Sequence, residues 1–153
     1  MPTVKQLAVK LVRNGADNLE RNLKAMPEDK WSWRPNDAGR SALHQVVECA
    51  GFNHLGAQVL KTHEFPPFDP QALKQAEATY DTLDKALGFL HTSTDEFVAA
   101  IEALPEADLD AMVTLPWGQR SLAEVIFLVH NNMVYHLGQI NHIQMQYGDY
   151  EMH

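Results

Sequence analysis

Three polar residues interrupt the apolar seam of a helix that the sequence predicts over residues 121–148. Read at spacings of three and four, the seam contains Leu122, Val125, Val129, Asn132, His136, Gln139 and Ile143. Burying an amide or an imidazole without a partner costs on the order of 1–3 kcal/mol. The Asn132, His136 and Gln139 side chains therefore need a hydrogen-bond network, a water molecule or a metal ion.

A further candidate for chemistry is His44, at the third position of a predicted second helix that begins after Ser41. Glu or Gln is usual at this position, as in the last helix, where Glu124 follows Ser121. The positive end of the helix dipole disfavours imidazolium and leaves a neutral ring that can bind a metal. The alternative is a histidine that caps backbone groups or is half exposed, and the sequence alone favours that alternative.

Two hypotheses account for these polar residues. A metal site would use His44 and His136 as imidazole ligands, Asn132 as an oxygen ligand and Gln139 as an orienting partner. Alternatively, Asn132, His136 and Gln139 form a hydrogen-bonded core network that fixes helix register, and the spacing alone favours this network. Two imidazoles and an amide carry no formal charge, so a metal would bind weakly. Glu48 could add a carboxylate, although most helical glutamates are solvated.

Composition restricts the class of protein. The 153 residues, 45% of them hydrophobic, suffice for a single domain over residues 1–153. The formal net charge of -8, with 20 acidic against 12 basic residues, argues against nucleic acid or an anionic membrane as a partner. The single cysteine, Cys49, excludes an internal disulfide. Because we expect neither a signal peptide nor a transmembrane helix, we predict a cytoplasmic protein.

The elements that must position these residues are four predicted helices. Apolar periodicity, N-cap residues and prolines place the helices at residues 3–26, 41–62, 70–104 and 121–148. The segment 63–70, HEFPPFDP, holds three prolines and predicts a long crossover between helices two and three. No strand-like alternation is evident. The sequence therefore predicts an all-α protein, a four-helix bundle with two long connections.

The motif HxGQI at residues 136–140, a histidine near the start of helix two and the loop pattern WSWRP...GRSALHQ carry a family resemblance. Together they resemble the DinB-like (DinB/YfiT-like) family of metal-dependent enzymes over nearly the whole chain. This resemblance implies an up-down-down-up bundle, often a homodimer, with nickel or zinc held by three histidines. One histidine comes from helix two, and two come from helix four, four residues apart. By position, His44 and His136 match two ligands, and Asn132 occupies the third place.

Related branches of that family are metal-dependent thiol transferases and isomerases, in which the metal binds a small thiol as its thiolate. The resemblance thus implies a metal-dependent, thiol-activating transferase or hydrolase that acts on a small molecule. No residue in the sequence is a clear general base. The rival hypothesis is a non-catalytic bundle, a dimerisation or ligand-binding module in which Asn132, His136 and Gln139 specify only packing.

Overall fold

A computed structural model describes residues 1–67 and 69–153. Within these residues the chain forms five helices, a two-stranded hairpin and two short 3-10 turns. The helices are α1 (Val4–Ala25), α2 (Ala42–Thr62), α3 (Pro70–Thr79), α4 (Leu83–Ala103) and α5 (Leu122–Gln146), and the strands are β1 (Met112–Leu115) and β2 (Gly118–Ser121). The 3-10 turns are Glu28–Lys30 and Glu106–Asp108.

Side-chain caps define where the long helices begin. Ser41 accepts a hydrogen bond from the backbone N–H of His44 at the start of α2. At the start of α5, Ser121 accepts from the N–H of Glu124, and the Glu124 carboxylate accepts from the N–H of Ser121 at 2.7 Å. This reciprocal capping box is the one that the sequence predicts, so two otherwise unpaired N–H groups are satisfied.

The four long helices pack as a bundle, as predicted. Helix α2 packs against α4 and α5, and α1 packs against the same two helices, while α3 lies against α2. Gly56 of α2 allows a close approach to α4 and α5, because a Cβ atom there would lie 2.7 Å from Val129 Cγ2 and 2.9 Å from Phe97 Cε2. The up-down-down-up order of the helices stays a prediction.

Two expectations about the elements were wrong. The predicted helix over residues 70–104 divides, because α3 ends at Thr79 and the Thr82 side chain accepts from the Lys85 N–H to begin α4. The predicted absence of strands is also corrected, since β1 and β2 pair antiparallel with Met112 opposite Ser121. Cross-strand hydrogen bonds thus replace part of the loop that we expected before α5.

The Pro-rich connection between α2 and α3 includes Phe68, which lies outside the described residues. The last turn of α2 is followed by His63 in the left-handed conformation, with φ 57°, and its N–H donates to the carbonyl of Val59. Over residues 1–67 and 69–153, no helix combines the length and the hydropathy needed to span a bilayer.

Candidate functional site

His136, on α5, is 2% exposed and makes polar contacts through both ring nitrogens. Its Nδ1 lies 3.0 Å from Gln45 Oε1 of α2 and 3.2 Å from Gln139 Oε1, one turn further along α5. Amide oxygens only accept hydrogen bonds, so Nδ1 is the nitrogen that donates. In a neutral ring, Nε2 then carries a lone pair, and it lies 3.6 Å from Glu48 Oε1.

The Glu48 carboxylate uses its two oxygens for two different partners. Oε1 faces His136, and Oε2 accepts a hydrogen bond from Arg40 Nη1. Burial alone would raise the pKa of Glu48, but the His136 ring, when Nε2 carries a proton and donates to Oε1, and the Arg40 guanidinium outweigh burial and lower the pKa to about 2. When Nε2 is unprotonated, as a metal ligand must be, only Arg40 opposes the effect of burial. Glu48 is therefore ionised at neutral pH and supplies a negative charge beside a buried imidazole.

His44, predicted as the ligand from α2, faces other groups. Its backbone N–H donates to Ser41 Oγ, and its Nδ1 lies 3.4 Å from Arg34 Nη2, which can only donate. The polar contacts of His136 with α2 are made by Gln45 and Glu48 instead. Of the predicted site residues, the structure thus places His136 beside Glu48, which lies one turn beyond His44 on α2.

Asn132 lies one turn before His136 on α5 and is partly buried. Its Nδ2 makes a long contact of 3.9 Å with Cys49 Sγ, on α2 beside Glu48. Because the amide nitrogen points to sulfur, the amide oxygen remains available as an acceptor or as a metal ligand. His136 and Gln139 are hydrogen-bonded, whereas Asn132 contacts the neighbouring helix.

Sequence reasoning placed Glu48 among solvated glutamates, although a signal for its role was present. Glu48 is the single acidic residue of α2, between Val47 and Cys49, which are both fully buried. A lone carboxylate in a helix that is buried on most sides needs a partner, because ionised groups are costly to bury unpaired. Arg40 and His136 are these partners.

The side chains of His136 and Glu48 could supply two of the ligands of a divalent metal ion. Within the residues that the structure describes, no three His, Cys, Asp or Glu side chains converge on one point. His136 Nε2 and Glu48 Oε1 are 3.6 Å apart, and two ligands of one tetrahedral ion, each about 2.1 Å from it, are separated by roughly 3.4 Å. Asn132 lies one helical turn before His136 on α5, so its amide oxygen would be the third donor by position.

The hydrogen bonds of His136 support the same fit. Histidines that bind metals donate their other ring N–H to a carbonyl or a carboxylate, which fixes the tautomer and the ring orientation. Gln45 and Gln139 provide such acceptors at Nδ1. The donor set is one imidazole, one carboxylate and one amide, and the Arg40 guanidinium on Glu48 is the positive charge that opposes an added cation.

A cleft of about 600 Å³ opens beside this cluster, between the loop 35–40 and the C-terminal half of α5. Arg40, Gln45 and Gln139 belong both to the lining of the cleft and to the contacts around Glu48 and His136. A small molecule in the cleft would therefore contact the groups that orient the candidate ligands.

Comparison with known protein families finds a model that matches residues 11–140, described as the DinB superfamily. The chain belongs to the DinB superfamily. The family resemblance drawn from HxGQI and the loop pattern is thereby confirmed. A comparison of this DinB-superfamily chain with curated protein sequences finds no match.

Solved structures share the DinB-superfamily fold at low sequence identity. YfiT from Bacillus subtilis, described as a probable metal-dependent hydrolase with an unusual four-helix bundle topology, aligns with a TM-score of 0.81 and 14% identity over 94% of this chain and 87% of that chain. YjoA, a DinB-like protein from Bacillus subtilis, aligns at 0.72 and 19% identity, over 96% and 95% of the two chains.

A mycothiol-dependent maleylpyruvate isomerase aligns with a TM-score of 0.69 and 16% identity, over 92% of this chain and 63% of that chain. At these identities, the similarity establishes the fold and leaves the chemistry to be argued from the side chains.

Proposed function

We propose that this chain is a metal-dependent enzyme in which a divalent ion binds between α2 and α5 through His136, Glu48 and Asn132. The observation that carries the proposal is the orientation of His136, with Nδ1 held by two amide oxygens and Nε2 3.6 Å from the Glu48 carboxylate. The ligand from α2 is proposed to be Glu48 in place of His44, because His44 contacts Arg34. Zinc suits nitrogen and oxygen ligands, and nickel is the second cation to test.

When bound, the ion would act as a Lewis acid that lowers the pKa of a thiol or a water molecule. Gln45 and Gln139 hold His136 in one tautomer, and Glu48 supplies the negative charge that two imidazoles and an amide lack. YfiT is described as a hydrolase and the isomerase as mycothiol-dependent, which supports activation of either nucleophile. We propose a transferase or hydrolase that acts on a small molecule bound in the cleft.

A metal-free binding module is the second candidate function, and one contact favours it. The Arg40 guanidinium already neutralises Glu48, so the polar cluster is closed without an ion. In that case His136, Gln139 and Gln45 fix how α2 and α5 pack, and the cleft binds its ligand without chemistry.

Metal titration of chelator-treated protein separates the two functions. Zinc or nickel at about 100 times its Kd should raise the melting temperature of the parent by about 5 °C or more. His136→Ala and Glu48→Gln should lose most of this rise, whereas His44→Ala should keep it. His91→Ala, an exposed histidine on α4 that does not line the cleft, is the matched control.

The opposite outcomes are equally clear. Loss of the rise in His44→Ala with retention in Glu48→Gln would restore the ligand set His44, Asn132 and His136. No rise with either metal in the parent would leave the metal-free module. In cobalt-loaded protein, a charge-transfer band on addition of a small thiol would indicate a thiolate nucleophile, and no such band would favour water.

A further inference from the structure

The cleft beside α5 differs in charge from the rest of the molecule. The chain carries a formal net charge of -8, yet none of the described residues lining this cleft is acidic. Among the described lining residues, Arg40 carries the formal positive charge, and Gln45, Gln139 and Tyr135 are uncharged donors. A pocket of this composition on an acidic protein is suited to an anionic ligand.

Arg40 is held in place at the edge of the cleft by the turn that precedes it. The Asn36 side chain accepts a hydrogen bond from the Ala38 N–H at 3.1 Å, and the Asn36 carbonyl accepts from the Gly39 N–H at 3.1 Å. Such an Asx turn fixes the local backbone conformation. Arg40 therefore enters the cleft from a defined position.

The Arg40 guanidinium has more donors than its partner uses. Five N–H groups are available, and Glu48 Oε2 accepts from Nη1. The Arg40 side chain is 45% exposed and lines the cleft, so the donors that Glu48 does not use are accessible to a ligand there. A planar guanidinium with free donors recognises a carboxylate with two parallel hydrogen bonds.

We propose that this cleft binds a small carboxylate-bearing molecule through Arg40, and that the ligand and Glu48 share the same guanidinium. In the free protein, Glu48 neutralises Arg40 and repels an incoming carboxylate. A bound ligand neutralises Arg40 in turn, so that the Glu48 carboxylate is freed for a cation beside His136. Ligand and cation should therefore strengthen each other's binding, as reciprocal linkage requires.

The carboxylate site itself is independent of any metal, while the coupling rests on the proposed metal-binding function. The first experiment uses chelator-treated full-length protein and calorimetric titration with succinate, with succinamide as the uncharged counterpart. Succinate should bind and succinamide should not. Arg40→Gln should weaken succinate binding by about tenfold or more, and Glu48→Gln should tighten it about fivefold by removing the competitor.

Arg13→Gln, which removes the same charge from an exposed ion pair with Asp95, is the matched control and should bind succinate as the parent does. Circular dichroism and melting temperature verify that each variant is folded. Equal binding of succinate and succinamide, or an Arg40→Gln variant that binds succinate like the parent, would overturn the carboxylate site.

The second experiment measures zinc affinity by competition with a chromogenic chelator, with and without saturating succinate. In the parent, succinate should tighten zinc binding by about 5-fold to 100-fold. In Arg40→Gln, zinc should bind more tightly than in the parent, and succinate should have no effect beyond its own zinc chelation. This variant thereby corrects for zinc bound by free succinate.

The two proposals fail separately. If zinc binds to the parent and succinate changes its affinity no more than in Arg40→Gln, the coupling is wrong and the metal site stands. If zinc binds to neither protein with or without succinate, the metal function and the coupling are both wrong. The carboxylate site is then judged by the succinate titration alone.

Discussion

The Glu48 carboxylate and the His136 imidazole face each other across the contact between α2 and α5, with Oε1 3.6 Å from Nε2. Each side chain also has a hydrogen bond on its other side. His136 donates to Gln45 and Gln139, and Glu48 accepts from Arg40. Polar groups with partners on both sides keep one geometry inside an apolar bundle. The pair is therefore positioned before any ligand arrives.

The acceptor behind His136 should control metal affinity. In Gln45→Met, the side chain keeps its length but loses one of the two oxygens that accept from Nδ1, so only Gln139 still fixes the tautomer and orientation of the ring. We expect zinc to bind about 10 to 100 times more weakly, measured by chelator competition. Gln58→Met makes the same change elsewhere on α2, and equal zinc affinity in the two variants would contradict the proposed orientation of His136.

The Glu48 ion pair should make stability depend on pH in the metal-free protein. The pKa of Glu48 falls from its ordinary value of 4.5 to about 2 in the folded state. A lowered folded-state pKa stabilises the protein fully above the unfolded value, and the contribution disappears as pH falls from about 4.5 toward 2. Since Glu48 is 27% exposed, we expect Glu48→Gln to lower the free energy of unfolding by about 1–2 kcal/mol at pH 7.

At pH 3 the difference in unfolding free energy between Glu48→Gln and the parent should be smaller. Glu48 is then protonated in the unfolded chain, which offsets part of the stabilisation that its ionised form gives the folded protein. Urea unfolding at the two pH values measures both differences. Glu102→Gln, an exposed position on α4, is the control and should match the parent at both. A Glu48→Gln difference that stays constant with pH would refute the ionised pair.

Close helix packing at Gly56 should make even a methyl group costly. A Cβ atom at Gly56 would lie 2.7 Å from Val129 Cγ2 and 2.9 Å from Phe97 Cε2. We expect Gly56→Ala to destabilise the protein by about 1–3 kcal/mol. A Cβ atom at Gly88 of α4 would meet no atom within 4 Å, so Gly88→Ala should stabilise by about 0.5–1 kcal/mol through helix propensity. Thermal unfolding measures both changes, and a change of stability in the same direction for the two variants would contradict this interpretation.

Cys49 should be inert in the folded protein. The side chain is fully buried, and burial raises the pKa of its thiol. We expect a chromogenic disulfide reagent to modify native protein at least about a hundredfold more slowly than protein unfolded in urea. Ser32→Cys places a second thiol at an exposed position and should react at once. Prompt modification of both thiols in that variant would show that the α2 interior opens readily.

The starts of α2 and α5 could be predicted because local chemistry decides them. Ser121 and Glu124 satisfy each other's backbone groups, and Ser41 caps α2, whatever the rest of the chain does. The apolar seam of α5 likewise predicted that His136 is buried, because a side chain on that face cannot avoid the bundle interior.

Which α2 side chain faces His136 could not be predicted in the same way. His44 and Glu48 are four residues apart on one helix, so their spacing alone does not decide which of them contacts α5. In the structure, Arg34 lies beside His44, and Arg40 donates to the Glu48 carboxylate that faces His136. Loop arginines act through tertiary contacts that helical periodicity does not contain.

The missed break and the missed hairpin have simpler causes. The apolar heptad pattern continues through Tyr80 and Leu83, although the helix is interrupted between Thr79 and Leu83. The capping residue Thr82 was the local signal for this break. In β1, Val113 and Leu115 are buried while Met112 and Thr114 are exposed, but four residues are too few to stand out as alternation.

Ser121 is at once the last residue of β2 and the cap of α5, so no spacer separates the hairpin from the helix. The hairpin consequently fixes which face of α5 is turned toward the bundle interior. One residue gained or lost between positions 121 and 136 would swing the imidazole by about 100° around the helix axis and away from α2. In the segment from β1 to His136, length changes among homologues should therefore fall in the turn at positions 116 and 117, where an insertion does not rotate His136.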